Sequence, residues 1–178
     1  MEKYQIYEDI QTRTNGDIYL GVVGPVRVGK STFISQFMQK MVIPNIENQN
    51  VKQRAIDELP QSADGKTVMT TQPKFVPNEA VKISVADKIN LKVRMIDCVG
   101  YLVSGAMGTT ENDKPRLVKT PWSDEEMPFE KAAEIGTKKV IEEHSTIGVV
   151  LTTDGSVTDI ERANYVSAEE RVVGEMKA

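Results

Sequence analysis

At 178 residues the chain has the length of one domain with a substantial core. Hydrophobic residues are 39% and aromatics only 6%, which suits an α/β core better than a β-sandwich. The net charge of −4 argues against a nucleic-acid partner held by electrostatics, and a single cysteine, Cys98, excludes an intrachain disulfide and points to a reducing compartment. The first residues, MEKYQIYEDI, are charged and lack an apolar signal core, and no apolar run approaches the ~20 residues of a membrane helix. A soluble, intracellular protein is expected.

Residues 1–16 read as a short lead-in helix. DIYLGVVG (17–24) is an apolar run bounded by glycine, the pattern of a buried central strand. A glycine-rich turn follows. KSTFISQFMQKM (30–41) then places Phe33, Ile34, Phe37, Met38 and Met41 on one helical face, and Pro44 ends that helix. Residues 45–66 are polar, with a short helix predicted around VKQRAIDEL. AVKISV (80–85) and LKVRMIDCVG (91–100) alternate, so they predict an antiparallel hairpin whose second strand brings Asp97 to the edge of the sheet. Residues 101–128 have no period and read as a long functional loop. A helix is expected from Pro128 through FEKAAEIGTKKVIEEH, and TIGVVLTT (146–153) reads as a second buried strand. Ser167 and Glu170 have capping-box spacing, so a last helix is predicted to start there.

Gly24, Pro25, Val26, Arg27, Val28, Gly29, Lys30 and Ser31 form G-x-x-x-x-G-K-S between a predicted strand and a predicted helix, as a phosphate-cradling loop requires. Glycines at 24 and 29 let backbone N–H groups converge on phosphate oxygens, with Thr32 next on the helix. Lys30 would reach the β- and γ-phosphates and Ser31 would offer its hydroxyl to Mg²⁺. Asp97 and Gly100 make D-x-x-G at a strand end, where the aspartate can face Mg²⁺ through water and the glycine N–H can meet the γ-phosphate. Thr70 and Thr71 lie between the motifs, where a connector hydroxyl would complete the metal shell. Which of the two does so stays open, as does a plain strand-entry role. Arg27 has three readings: an arginine finger in cis, a solvated side chain, or a contact with a neighbouring subunit. Tyr101 stands where many GTPases carry a water-orienting glutamine, so slow or assembly-dependent hydrolysis is expected. Cys98 reads as inert packing and His144 as a helix-terminal surface residue. Asp154 comes one strand too early to read a guanine base.

This order of motifs resembles the Ras-like, translation-factor class of P-loop NTPases, and an arginine at the position of Arg27 resembles the loop of guanylate-binding proteins. GDIYLGVVGPVRVGKSTF, DELPQSADGKTVMTTQPKFVPNEAV, DCVGY and AAEIGTKKVIEEHSTIGVVLTTDGS resemble, more closely, the N-terminal ATPase domain of the stage IV sporulation protein A family. The resemblance covers essentially the whole chain. It implies an α/β fold with a mixed sheet, an antiparallel hairpin and helices on both faces, ATP with Mg²⁺ as ligands, and hydrolysis through Lys30 and the threonines at 70 and 71. It also implies self-association into the basement layer of the spore coat, in the mother-cell cytoplasm and peripheral on the outer forespore membrane. The implied partners are a small amphipathic membrane-anchoring peptide and a LysM-type coat protein, bound mostly by regions outside this chain. Residues 1–178 are then expected to be one excised domain, ending before the base-specificity strand. A GTP switch, a structural nucleotide-binding module and a small-molecule kinase are the competitors. The kinase is disfavoured because 101–128 holds a single arginine, Arg116, too few for an arginine-bearing lid.

Overall fold

A strand of consecutive apolar residues needs partners on both edges and cover on both faces, and β1 (Asp17–Val23) receives all four. The computed structural model describes residues 12–60, 71–85, 89–106, 108–111, 114–156 and 160–176. After β1 come α1 (Lys30–Phe37), α2 (Gln49–Asp57), β2 (Lys74–Val85), β3 (Ile89–Asp97), β4 (Thr110–Glu111), β5 (Lys114–Pro115), β6 (Leu117–Thr120), β7 (Ser123–Pro128), α3 (Phe129–Lys139), β8 (Ile147–Val150) and α4 (Val166–Met176). The main sheet has the order β2-β3-β1-β8. Its β1 runs parallel to β3, with Val22 opposite Asp97, and parallel to β8, with Leu20 opposite Ile147. The hairpin partner β2 is antiparallel to β3, with a register shift between Val76 and Val81. The fold is therefore mixed α/β.

Alternating side chains divide the core between the two faces of this sheet. Ile18, Leu20 and Val22 pack in one cluster with Ile34, Met38 and Val42 from α1 and the turn after it. Val23 and Ile96 pack in the other with Val140, Tyr165 and Val172 from the region of α3 and α4. Helices thus cover both faces. Among the described residues no helix is long and apolar enough to cross a membrane.

Several expectations need correction. Ile34 and Met38 are fully buried, but Met41 is 58% exposed. The helix widens into a π turn at Met38–Val42, which keeps a spacing of four on the inner face and brings Val42 inward in place of Met41. Pro44 sits inside the 3-10 turn Ile43–Asn45 that follows, so the helical path ends just beyond it. The predicted helix near 51–59 starts earlier, at Gln49, because the Asn48 side chain caps it by accepting the N–H groups of Asn50 and Val51.

Residues 101–128 are not a bare loop. They contain two small antiparallel hairpins, β4–β5 and β6–β7. Most of these strand residues are exposed, so backbone pairing holds them and no hydrophobic period reveals them. The strand expected to be buried, β8, is the outer strand of the sheet, with Ile147 36% and Val150 38% exposed. Its apolar residues resemble those of a central strand, but among the described residues it pairs in the sheet with β1 alone. Helix α4 begins at Val166, after the 3-10 turn Arg162–Tyr165, which puts Ser167 inside the helix and exposed. The fully buried Tyr165 fixes that entry, so tertiary packing overrides the capping-box pattern. Of the lead-in helix expected over 1–16, residues 1–11 lie outside the described residues, 12–14 are helical and 15–16 form a turn.

Candidate functional site

Because β1 and β3 are parallel, their carboxyl ends lie side by side, and the connections leaving those ends meet in space. The Gly24–Gly29 loop leaves β1, and α1 begins at Lys30 with left-handed Gly29 (φ 86°) as its N-cap. Gly29 offers no side-chain cap, and a helix N-terminus of this kind favours an anion. Gly24 is also required by its packing. A Cβ there would overlap the Leu151 carbonyl oxygen, where the chain leaving β8 runs against the loop. Leu151 N–H donates to the Val23 carbonyl at 2.9 Å to hold that approach.

Lys30 lies beneath the loop and is only 5% exposed. Its Nζ donates to the carbonyls of Pro25 (2.5 Å) and Gly24 (3.4 Å). Burial pushes its pKa down, while neighbouring Cys98 and Asp97 pull it back up. Ser31 Oγ donates to Asp97 Oδ2 at 2.5 Å. Burial raises the Asp97 pKa, opposed by the Ser31 hydrogen bond and then by Lys30 and Lys74. Cys98 is a buried thiol donating to the Val22 carbonyl at 3.4 Å, and burial pushes its pKa up, in keeping with a packing role.

The D-x-x-G segment runs directly under the loop. Gly100 has φ 91°, and a Cβ on it would overlap the Gly24 carbonyl oxygen and crowd Lys30 Nζ. The next residue, Tyr101, bridges Pro25 and accepts the Val26 N–H at 2.9 Å. Gly100 N–H donates at 3.2 Å to Thr137 Oγ1, whose hydroxyl donates in turn to the Ala133 carbonyl at 2.8 Å. Thr137 is fully buried on α3 and was missed in the sequence. Its signal was there, as one hydroxyl in the small-residue stripe Ala132, Ala133, Gly136 that faces inward.

The structure thus brings Lys30, Ser31, Asp97 and Gly100 together with the backbone of Gly24, Pro25 and Val26. The Val26 side chain is 1% exposed and belongs to the core, so only its backbone faces the loop. Val28 packs partly against the same cluster, and Thr32 is exposed on α1. Arg27, half-buried in the loop, has left-handed φ of 63°. Thr71 is 6% exposed, with its carbonyl against Gly136 of α3, one residue from the Thr137 that holds Gly100. Thr70 lies outside the described residues. His144 ends a π turn after α3, its ring edge-on to Phe75 at 5.6 Å. Asp154 is exposed in a turn, where it accepts from Ser156.

Among the described residues no cluster of three or more His, Cys, Asp or Glu could hold a metal. One hydroxyl and one carboxylate fit a Mg²⁺ that keeps water and phosphate oxygens as its other ligands. The buried Lys30 ammonium beside them, bonded to the carbonyls of its own loop, fits a polyphosphate.

The family model described as stage IV sporulation protein A, ATPase domain, matches residues 1–178. A stage IV sporulation protein A of Clostridioides difficile (strain 630) is 66% identical over 172 residues, covering 97% of this chain and 35% of that relative. Relatives of the same name from Bacillus anthracis and Bacillus subtilis (strain 168) are 61% and 60% identical over 177 residues, each covering 99% of this chain and 36% of the relative. The chain therefore spans about a third of the length of the curated relatives it matches. No solved structure matches it.

Proposed function

The chain belongs to the stage IV sporulation protein A ATPase-domain family, and from that premise we propose that residues 24–32 bind ATP with Mg²⁺ and that the chain hydrolyses it. The proposed role of the cycle is to drive self-assembly of the spore-coat basement layer on the forespore surface. The observation that carries the site reading is the Ser31–Asp97 pair, 2.5 Å apart, beside a buried Lys30 at the start of α1. The strand order β2-β3-β1-β8, with β2 antiparallel, supports a P-loop fold of the Ras-like, translation-factor class.

Each residue then has a task its position allows. Lys30 exchanges its carbonyl partners for β- and γ-phosphate oxygens, a gain because an anionic oxygen attracts the ammonium more strongly than a neutral carbonyl does. Loop and α1 N–H groups orient the phosphates. Ser31 and Asp97 would hold a Mg²⁺, which would supply neutralisation of charge on the phosphate oxygens. Gly100 N–H would leave Thr137 to meet the γ-phosphate. Thr70 and Thr71 sense the γ-phosphate, and Arg27 offsets developing charge once a neighbour packs against 101–128. ATP in place of GTP rests on the family alone. Membrane-anchor and LysM-type partners belong to the proposal for the longer protein, as does its place on the outer forespore membrane.

A second reading, nucleotide as a structural ligand with little turnover, is favoured by Tyr101. It stands at the sequence position where many GTPases carry a water-orienting glutamine, and its buried side chain turns to α4 instead. The deciding experiment is phosphate release by the full-length protein with ATP and with GTP. Release from ATP at several times the GTP rate is expected. Equal rates would remove the ATP assignment, and no release from either would favour the structural reading. Asp97→Asn is expected to shift the Mg²⁺ midpoint for hydrolysis upward by about tenfold, because a neutral amide attracts the metal's waters less. An unchanged Mg²⁺ titration would make D-x-x-G an ordinary turn.

A further inference from the structure

Tyr101 is 2% exposed and joins the phosphate loop to two helices. Its backbone bridges Pro25 and accepts the Val26 N–H. Its side chain reaches α4, where the hydroxyl donates to Glu175 Oε2. Arg171, four residues earlier on α4, sets its guanidinium over the Tyr101 ring, 4.5 Å from the centroid. The same guanidinium pairs with Glu134 on α3, and its Nε lies 3.6 Å from Glu175 Oε1. Burial, and then the bond to Glu175, push the phenol pKa well above its usual value, so the hydroxyl remains a donor at neutral pH. Pro25, at the other end of the bridge, is the residue whose carbonyl accepts Lys30 Nζ at 2.5 Å. The contacts Glu175–Tyr101, Tyr101–Pro25 and Pro25–Lys30 are thus in series.

We propose that Tyr101 is a positioning residue for nucleotide binding: Glu175 and Arg171 clamp its side chain, and its backbone holds the Pro25–Val26 turn and the Lys30 ammonium where the phosphates arrive. It rests on the phosphate-binding reading above. Its physical content is pre-organisation, since a turn tethered to two helices loses less freedom when ligand binds than one tethered only to its neighbours. Helix α4 then bears directly on affinity, although none of its residues touches the loop's N–H groups in this chain of contacts.

The test is the ADP Kd of the full-length protein with Tyr101→Phe, Glu175→Gln and the two combined. Each single change is expected to raise Kd about 3- to 10-fold, a fraction of a charged hydrogen bond's worth because it acts through the loop. The pair should cost no more than the larger single change, since both act on the same Tyr101–Glu175 contact. Glu169→Gln is the control. It neutralises the α4 carboxylate that meets Arg162 and Thr152 while sparing Tyr101, and should leave Kd unchanged. A parent-like Kd in Tyr101→Phe overturns the proposal, and so does a Glu169→Gln effect of equal size, which would mean general loosening of α4. Lys30→Ala run alongside separates the two levels. If it keeps the parent Kd, the phosphate-binding reading falls and takes this proposal with it. If it loses binding while Tyr101→Phe does not, only the positioning role falls.

Discussion

Replacing Lys30 with methionine should raise the Kd for ATP by about 10²–10⁴-fold and leave the melting temperature unchanged or higher. Two hydrogen bonds from an ammonium to phosphate oxygens are worth about 1.5–3 kcal/mol each, and each 1.4 kcal/mol is tenfold in affinity. The stability side has the opposite sign. Burial already pushes the Lys30 pKa down, which records the cost of keeping its charge beneath the loop. A methionine of similar length fills that space without charge, so the desolvation cost is lifted and outweighs the loss of a donor to the Pro25 carbonyl. Lys30→Ala should lose binding equally but lower stability by leaving a cavity. Calorimetric titration and thermal melts of the three proteins check both halves. Micromolar binding retained in Lys30→Met would end the phosphate-loop reading.

Arg27 offers the other large effect, and its backbone supplies the control. A non-glycine residue at φ 63° costs about 1–2 kcal/mol. Arg27→Gly removes the side chain and that strain together, whereas Arg27→Ala removes the side chain alone. Both should keep nucleotide affinity nearly intact and abolish the acceleration of phosphate release that accompanies rising protein concentration. An arginine engaged on the transferring phosphate is worth about 10³–10⁵ in rate. Only the glycine variant should gain stability, by roughly 2–4 °C per kcal/mol of relieved strain for a chain of this size. Specific activity independent of concentration in the parent, or acceleration surviving in either variant, would remove the finger role.

What was legible in the sequence was local or periodic. G-x-x-x-x-G-K-S needs only a strand before it and a helix after it, and both are there as β1 and α1. Asp97 arrives opposite Val22 because the alternation in LKVRMID fixes both the strand and its register. What escaped depends on contacts between distant segments. The engagement of Gly100 by Thr137 spans 37 residues, and the Tyr101–Glu175 contact spans 74. The left-handed Arg27 is imposed by the closed loop and has no signature in its neighbours. The π turns at Met38–Val42 and Val140–His144 shift a face by part of a turn, which a fixed helical period cannot represent. Strand β8 read as buried because apolarity reports cover on a face and says nothing about an unshared edge.

The distance along the chain between β1 and its second partner sets a clock. Tyr19 exchanges hydrogen bonds with Thr146, 127 residues later, and Val23 waits for Leu151 in the same way. At ribosomal speeds of about 5–20 residues per second, roughly 6–25 s separate the synthesis of Tyr19 from that of Thr146. During that interval the central apolar strand can pair with β3 on one side only, and the Gly24 turn lacks the Leu151 carbonyl that closes against it. The nucleotide loop therefore takes its final form only after most of the chain has been made, and ATP cannot template the early part of folding.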